Sequence, residues 1–275
     1  MTTADYDSHE PGLETVEECE RCLFLLEACT GAIDSAVSEG LRARPSVVDL
    51  ACGIGEPGLS LARVHDDWQL TGIDLSPALV MAARQNAEEQ RVAERTMFIA
   101  GSMDDLPFGD ATVDAVISRM GALLLGDPPT TGREIARILR PGGRFALTVW
   151  ANAEDHPLLA LSHRAMTTHV AAELLPDLFT WFRQMAMPGV RKKWLRDAGI
   201  SEVTVDSFDW VVSYPDFDSA WELSEGIWSG AIAGLDVRTL GLVRSTMYEL
   251  LQPYKSPLSG GYVIPATCQL VYGTR

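Results

Sequence analysis

From about residue 46 the chain alternates short apolar runs with longer stretches in which apolar residues recur at helical spacing. The runs Val47–Ala51, Leu70–Asp74, Met97–Gly101, Ala115–Ser118 and Phe145–Trp150 are continuously apolar and rich in Val, Ile or Leu. Such runs predict strands covered on both faces. Between them, Ser76-Pro77 is a helix start, an N-cap followed by a first-turn proline, with Leu79, Ala82 and Ala83 on one face. Thr131-Gly-Arg-Glu134 has capping-box form ahead of Ile135, Ile138 and Leu139. Arg140-Pro-Gly-Gly143 is predicted to stop that helix and lead into the next strand. Strands alternating with helices imply an α/β fold with a doubly wound, largely parallel sheet.

After Trp150 the alternation weakens. Residues 155–185 are expected to be helical, and Val190–Ala198 to form a short basic helix ending at Gly199. Val203–Tyr214 and Tyr262–Gly273 are β-rich, with a mostly helical insertion between them. The expected organisation is an N-terminal helical lid (1–44), a ligand-binding core (45–152), a helical insertion with the last core helix (153–200), and two final strands carrying an inserted helical cap (201–275, cap 215–258). Of the 21 aromatic residues, 15 lie from Trp150 onward. They fit a second packed apolar layer; they equally fit a cover that receives an apolar organic substrate, which is the reading adopted.

Composition narrows the partners. With 47% hydrophobic and 22% charged residues, the 275-residue chain is ordinary globular material. A formal charge of −16 opposes nucleic-acid binding, which rests mainly on Lys and Arg; Arg191-Lys192-Lys193 is a short exception. No apolar run approaches the roughly 18 residues of a membrane helix, and the N-terminus is polar and acidic. A cytoplasmic protein with no membrane insertion is expected. Cys19 and Cys22 form a C-x-x-C without a second pair at zinc spacing, so buried thiols are the expectation.

The chemistry begins at VVDLACGIGEPGL, residues 47–59. Gly53, Gly55 and Gly58 spell G-x-G-x-x-G at the place where a doubly wound sheet binds its ligand. Asp74, closing the second predicted strand, suits a ribose diol. NAD and adenosyl ligands fit equally so far; a glycine turn that merely packs strand to helix fits as well. Three features separate them. Asp49 before the glycines and Glu56, expected in the first helical turn, suit a cationic ligand better than a diphosphate. Met103 offers a stacking surface for a purine, and Asp104 an acceptor for its exocyclic amine. The strand end Val116–Arg119 and Arg140–Gly143 complete the rim.

DLACGIG, GIDLS, GSMDDLPF and REIARILRPGGRFALTVW, in that order, resemble the class I S-adenosylmethionine-dependent methyltransferases, most of all the small-molecule branch related to the ubiquinone and menaquinone enzymes. The resemblance implies a Rossmann-like seven-stranded sheet with an antiparallel last strand, and S-adenosylmethionine as cofactor. It implies that Asp49, Ala51, Gly53 and Gly55 line the methionine part, Asp74 holds the ribose, and Leu75 packs near the adenine. Ser102, Met103 and Asp104 would bracket the base, and Ser118 would lie where the methyl group points. Ala51 stands where the family usually has Gly, a mild change if φ there is below zero; Ile54 replaces a position often small and polar. The implied reaction is O-, N- or C-methylation of a small, largely apolar metabolite, with secondary metabolism as its setting. The alternatives are a non-methylating reaction such as a cyclisation over the same cofactor, and an NAD(P)-dependent reductase. A hydroxyl acceptor requires a base, for which His156 and His163 are candidates; the same residues also fit solvent-facing or capping roles. Asp127 and Asn152 lack a third partner, so no metal is expected.

Overall fold

A computed structural model describes residues 16, 17, 19, 26–122, 127–150, 157–175, 187 and 189–275. In chain order these give α1 (Glu27–Val37), β1 (Ser46–Leu50), α2 (Gly58–Val64), β2 (Gln69–Asp74), α3 (Pro77–Glu89), β3 (Thr96–Ala100), β4 (Val113–Arg119), α4 (Pro128–Ile138) and β5 (Leu139–Trp150). Then follow α5 (Pro157–His169), α6 (Val190–Asp197), β6 (Glu202–Tyr214), α7 (Phe217–Ile227), α8 (Ser229–Ile232), α9 (Val237–Leu251) and β7 (Tyr262–Thr274).

The strands form one sheet in the order β3-β2-β1-β4-β5-β7-β6. β1 pairs in parallel with β2 and β4, β2 with β3, and β4 with β5. β6 and β7 run opposite to each other: Thr267 Oγ1 donates to Asp209 (2.7 Å) and Tyr272 to Asp206 (2.9 Å), so partners rise in number on one strand as they fall on the other. This is the Rossmann-like mixed sheet with an antiparallel last strand that the sequence predicts. β4 is buried along six of its seven residues, as its apolar run requires.

Two boundaries differ from expectation. α4 starts at Pro128, behind the N-cap Asp127, rather than at Thr131. Two consecutive prolines with preset φ begin this helix, and Thr131 and Glu134 fall inside it, free for other partners. Arg140–Gly143 is not a loop but the first part of β5. The register of β5 against β4 slips between the Val113 and Ala115 pairings, and Gly142, at φ 76°, belongs to the irregular stretch. The slip absorbs extra residues while Gly142 N–H and Arg275 N–H keep backbone partners at 2.8 and 2.9 Å.

The described residues fall into two compact units: one from 1–149, 188–207 and 269–275, the other from 150–187 and 208–268. The first has a core of Val47, Leu61, Leu70, Phe98, Ile117 and Ala146. In it α3 is capped as predicted, Ser76 Oγ accepting from Leu79 N–H, and buries Leu79, Val80, Ala83 and Ala87. In the second, α5 packs on α7 and α9. Trp228 Nε1 donates to Ser162 Oγ (2.7 Å), and Asp216 and Asp236 cap α7 and α9. Among the described residues no helix is long and apolar enough to cross a membrane. Cys19, Cys29, Cys52 and Cys268 are buried; Cys22 lies outside the described residues.

Candidate functional site

The glycine loop leaves β1 at Leu50 and enters α2 at Gly58. Ala51, Gly53 and Gly55 all have positive φ, at 53°, 53° and 103°. The condition under which Ala51 would be a mild change therefore fails: an L residue in this region meets its own carbonyl, at a cost of about 1–2 kcal/mol. Room for the Ala51 methyl comes from Gly121, where an added Cβ would sit 2.3 Å from it. Gly58 is needed for a different reason. A Cβ there would lie 2.6 Å from Leu70 Cδ2 and 2.9 Å from Asp49 Oδ2, so a larger residue would push both side chains aside.

Asp49 is fully buried, and Oδ2 accepts from Gly58 N–H at 3.0 Å. It fastens the loop from beneath rather than lining an open cleft, which corrects the sequence reading. Burial pushes its carboxyl up to about 8 against the opposing pull of the Gly58 bond and Arg119, with Glu56 and Asp74 adding to the rise. Its Oδ1 is buried without a partner. Glu56 is likewise not in the first helical turn: it precedes α2 and accepts from Ser60 N–H (3.3 Å). Ile54, the second departure from the family pattern, is 3% exposed and packs with Leu79 and Cys19, with Val16 alongside.

Asp74 is the junction of the site. Oδ2 accepts from Gly53 N–H (2.8 Å) and Oδ1 from Ser76 N–H (2.9 Å), so one carboxylate ties the glycine loop to the start of α3. Each oxygen keeps a further lone pair for a diol. Leu75 beside it is 68% exposed, an unusual position for a leucine in a strand-to-helix turn.

The segment after β3 is held by α4. Ser102 Oγ accepts from Asp104 N–H (3.1 Å). Asp104 accepts from Asp127 N–H (2.9 Å) and from the Thr131 hydroxyl, so its carboxylate is a fastener with both oxygens engaged. Leu106 N–H donates to Glu134 (2.7 Å), and Arg137 donates to the carbonyls of Leu106 and Phe108. Thr131 and Glu134, read from sequence as a capping box, thus hold this segment. Met103 is half-buried within it.

Ser118 is fully buried. Its hydroxyl donates to Leu50 O (2.7 Å) and accepts from Ala122 N–H (2.8 Å), pinning β4 to β1, and does not face an open cleft. The next residue, Arg119, was placed only on the rim by the sequence. It is half-buried and lies in the field of Glu56 and Asp49, with Nη1 on Thr30 Oγ1 (3.0 Å). Its position at a strand end was the one signal available. Of the candidate bases, His163 sits in the second unit with its ring stacked on Trp228 (centroids 5.8 Å apart), and His156 lies outside the described residues.

A doubly wound sheet with a glycine loop and an aspartate at its switch point defines a Rossmann-like fold. Residues 48–147 match the family described as methyltransferase domain. The chain is 36% identical over 107 residues to 27-O-demethylrifamycin SV methyltransferase of Amycolatopsis mediterranei, covering 39% of each. It is 32% identical over 120 residues to demethylmenaquinone methyltransferase of Lactiplantibacillus plantarum, covering 43% of this chain and 50% of that one. The matches thus span between 39% and 55% of the length of the first such relatives. Among solved structures, geranyl diphosphate C-methyltransferase of Streptomyces coelicolor, determined with S-adenosyl-L-homocysteine, superposes with TM-score 0.52 at 18% identity over 98% of this chain and 88% of that one, a likeness of fold.

Proposed function

We propose that the protein transfers a methyl group from S-adenosylmethionine to a small, largely apolar organic acceptor, in the manner of the quinone and natural-product enzymes it resembles. The observation that carries the reading is Asp74, bridging Gly53 and Ser76 within the segment that matches the methyltransferase domain. The residues present suit the cofactor. Asp74 has lone pairs for the ribose diol, Leu75 an exposed apolar face for the adenine, and Gly53, partly exposed and without a side chain, a place for the methionine end to approach the backbone. When bound, the cofactor supplies a methyl on a good leaving group, so alignment in a site closed to water provides much of the rate.

The acceptor class follows from the second unit, which holds most of the aromatic residues. Phe208 and Trp210 stack at 5.4 Å and Trp210 on Trp150 at 5.6 Å. A hydroxyl acceptor must lose its proton as the bond forms, and His156 or His163 takes it in this reading. Replacing by Ala the one that serves as base then lowers turnover about a hundredfold and removes the acidic limb of the pH profile. Near-normal turnover in both variants leaves positioning alone to carry the reaction.

Calorimetric titration tests the cofactor. S-adenosylhomocysteine should bind, NAD should give no heat, and Asp74→Ala should weaken binding by roughly 1.5–3 kcal/mol. Unchanged affinity in that variant refutes the assignment. Labelled S-adenosylmethionine with a metabolite extract then reads the reaction: label in an organic product is expected, whereas cofactor binding without any transfer points to a non-methylating reaction such as cyclisation.

A further inference from the structure

The cofactor's amino-acid end carries a carboxylate as well as an ammonium, and the loop that would receive it carries Glu56 and is tied to Asp74. A cation must face that carboxylate, or the loop repels it. The Ser118 hydroxyl reaches Leu50 O, the last residue of β1, and Arg119 follows Ser118 as the last residue of β4, so it stands at the strand end from which the glycine loop leaves. Arg119 is thus delivered to the mouth of the glycine loop by the strand next to it.

Its surroundings are unusual for a surface arginine. The side chain is largely desolvated, which pulls its pKa down, and Glu56 and Asp49 act on it from nearby. Yet among the described residues it forms no ion pair, and its one hydrogen bond goes to the Thr30 hydroxyl of α1 (3.0 Å). Neutralising Glu56 or Asp49 is a poor account of it. Asp49 is buried, with Oδ2 on Gly58 N–H, and Glu56 accepts from Ser60 N–H. A guanidinium has five N–H donors, and a desolvated one without a direct carboxylate partner is costly. A bidentate carboxylate is the ligand whose geometry fits that fork.

We propose that Arg119 binds the α-carboxylate of the cofactor's methionine end, with Thr30 fixing the guanidinium plane. The inference rests on the cofactor reading above. It makes the site selective for adenosyl thioethers that keep the amino-acid carboxylate, and it gives α1 a part in cofactor binding through Thr30.

The test compares two probes by calorimetry on the full chain: S-adenosylhomocysteine, and methylthioadenosine, which has the same nucleoside thioether and no amino acid. Arg119→Met should lose roughly 10- to 100-fold in affinity for S-adenosylhomocysteine and keep its affinity for methylthioadenosine. Arg119→Lys, which keeps the charge without the fork, should fall between wild type and Arg119→Met on the first probe alone. It also serves where Arg119→Met fails to fold. Thr30→Val should show a smaller loss of the same selectivity. Equal losses on both probes in folded variants, or affinity for S-adenosylhomocysteine within twofold of wild type, overturns the proposal. A wild-type protein that binds neither probe refutes the cofactor reading instead, and a wild type that binds both equally refutes this inference alone.

Discussion

The methyl of Ala51 occupies the space that a side chain at residue 121 would need. Ala51 is held at φ 53° while Gly121, in the turn after β4, leaves its Cβ position empty 2.3 Å away. The two residues therefore act as a pair. Gly121→Ala should destabilise the protein by about 1–3 kcal/mol, as overpacking of a rigid site does. Ala51→Gly should return most of that loss in the double variant, since it removes both the clash and the αL strain. Urea unfolding of the four proteins measures the coupling; additive effects would mean that the loop relaxes instead. None of this was legible in the sequence, because an alanine at a glycine position does not announce its φ.

Asp49 allows a pH prediction at the same scale. Burial raises its carboxyl from 3.8 to about 8, so between those values the folded protein holds a proton that the unfolded chain has released. Stability from this group is complete below about pH 4 and declines as pH rises toward 8. Asp114 works the other way. Burial would raise its pKa, but hydrogen bonds from Arg42 and Ser46, with the charge of Arg140, hold it below the usual value, so its contribution is present above that range and lost on acidification. Asp49→Asn, which mimics the protonated form and keeps an acceptor for Gly58 N–H, should flatten the decline between pH 5 and pH 8 and leave the acid limb in place. A variant with the same slope as wild type would show that Asp49 is already ionised.

At the scale of elements, the sequence was most legible where burial dictates residue type. The continuous apolar runs became β1 to β5 because a strand covered on both faces has no polar side. Ser76-Pro77 capped α3 because a local hydrogen bond decides the matter. Asp74 was placed at its strand end by the same alternation. Legibility failed where one local pattern admits two partners. Thr131 and Glu134 have capping-box spacing, but Asp127-Pro128-Pro129 starts α4 first, and the two side chains turn to the segment at 104–106. The order of that segment consequently depends on α4. Arg137 joins Glu134 (2.7 Å) and Asp110 (2.9 Å) to the carbonyls of Leu106 and Phe108. Arg137→Met should cost about 1–3 kcal/mol of stability and raise exchange at the Leu106 amide. It should also weaken adenosyl binding without changing the preference between the two probes used for Arg119. Normal exchange at Leu106 would mean that the segment holds itself.

At the scale of the whole molecule, the proposed cofactor residues and the bulk of the aromatic residues belong to different compact units, each with its own core. The residues proposed for the cofactor, among them Gly53, Gly55, Asp74, Leu75 and Arg119, are all in the first unit. In the second, α5, α7 and α9 close on Trp228, Val243 and Met247, all at most 1% exposed. A ligand stabilises only what it binds in the native state, by about 2.7 kcal/mol at a hundred times its dissociation constant. S-adenosylhomocysteine should therefore slow amide exchange at residues 46–60, 74–80 and 100–106 while leaving 217–251 near its unliganded rate. Exchange in 217–251 should slow only when an acceptor molecule is added with the cofactor product, because that unit is proposed to carry the acceptor-selecting surface. Hydrogen exchange read by mass spectrometry separates the two steps. Equal protection of both units by S-adenosylhomocysteine alone would contradict the division of labour. An acceptor that protects only residues 46–106 would move the acceptor surface into the first unit.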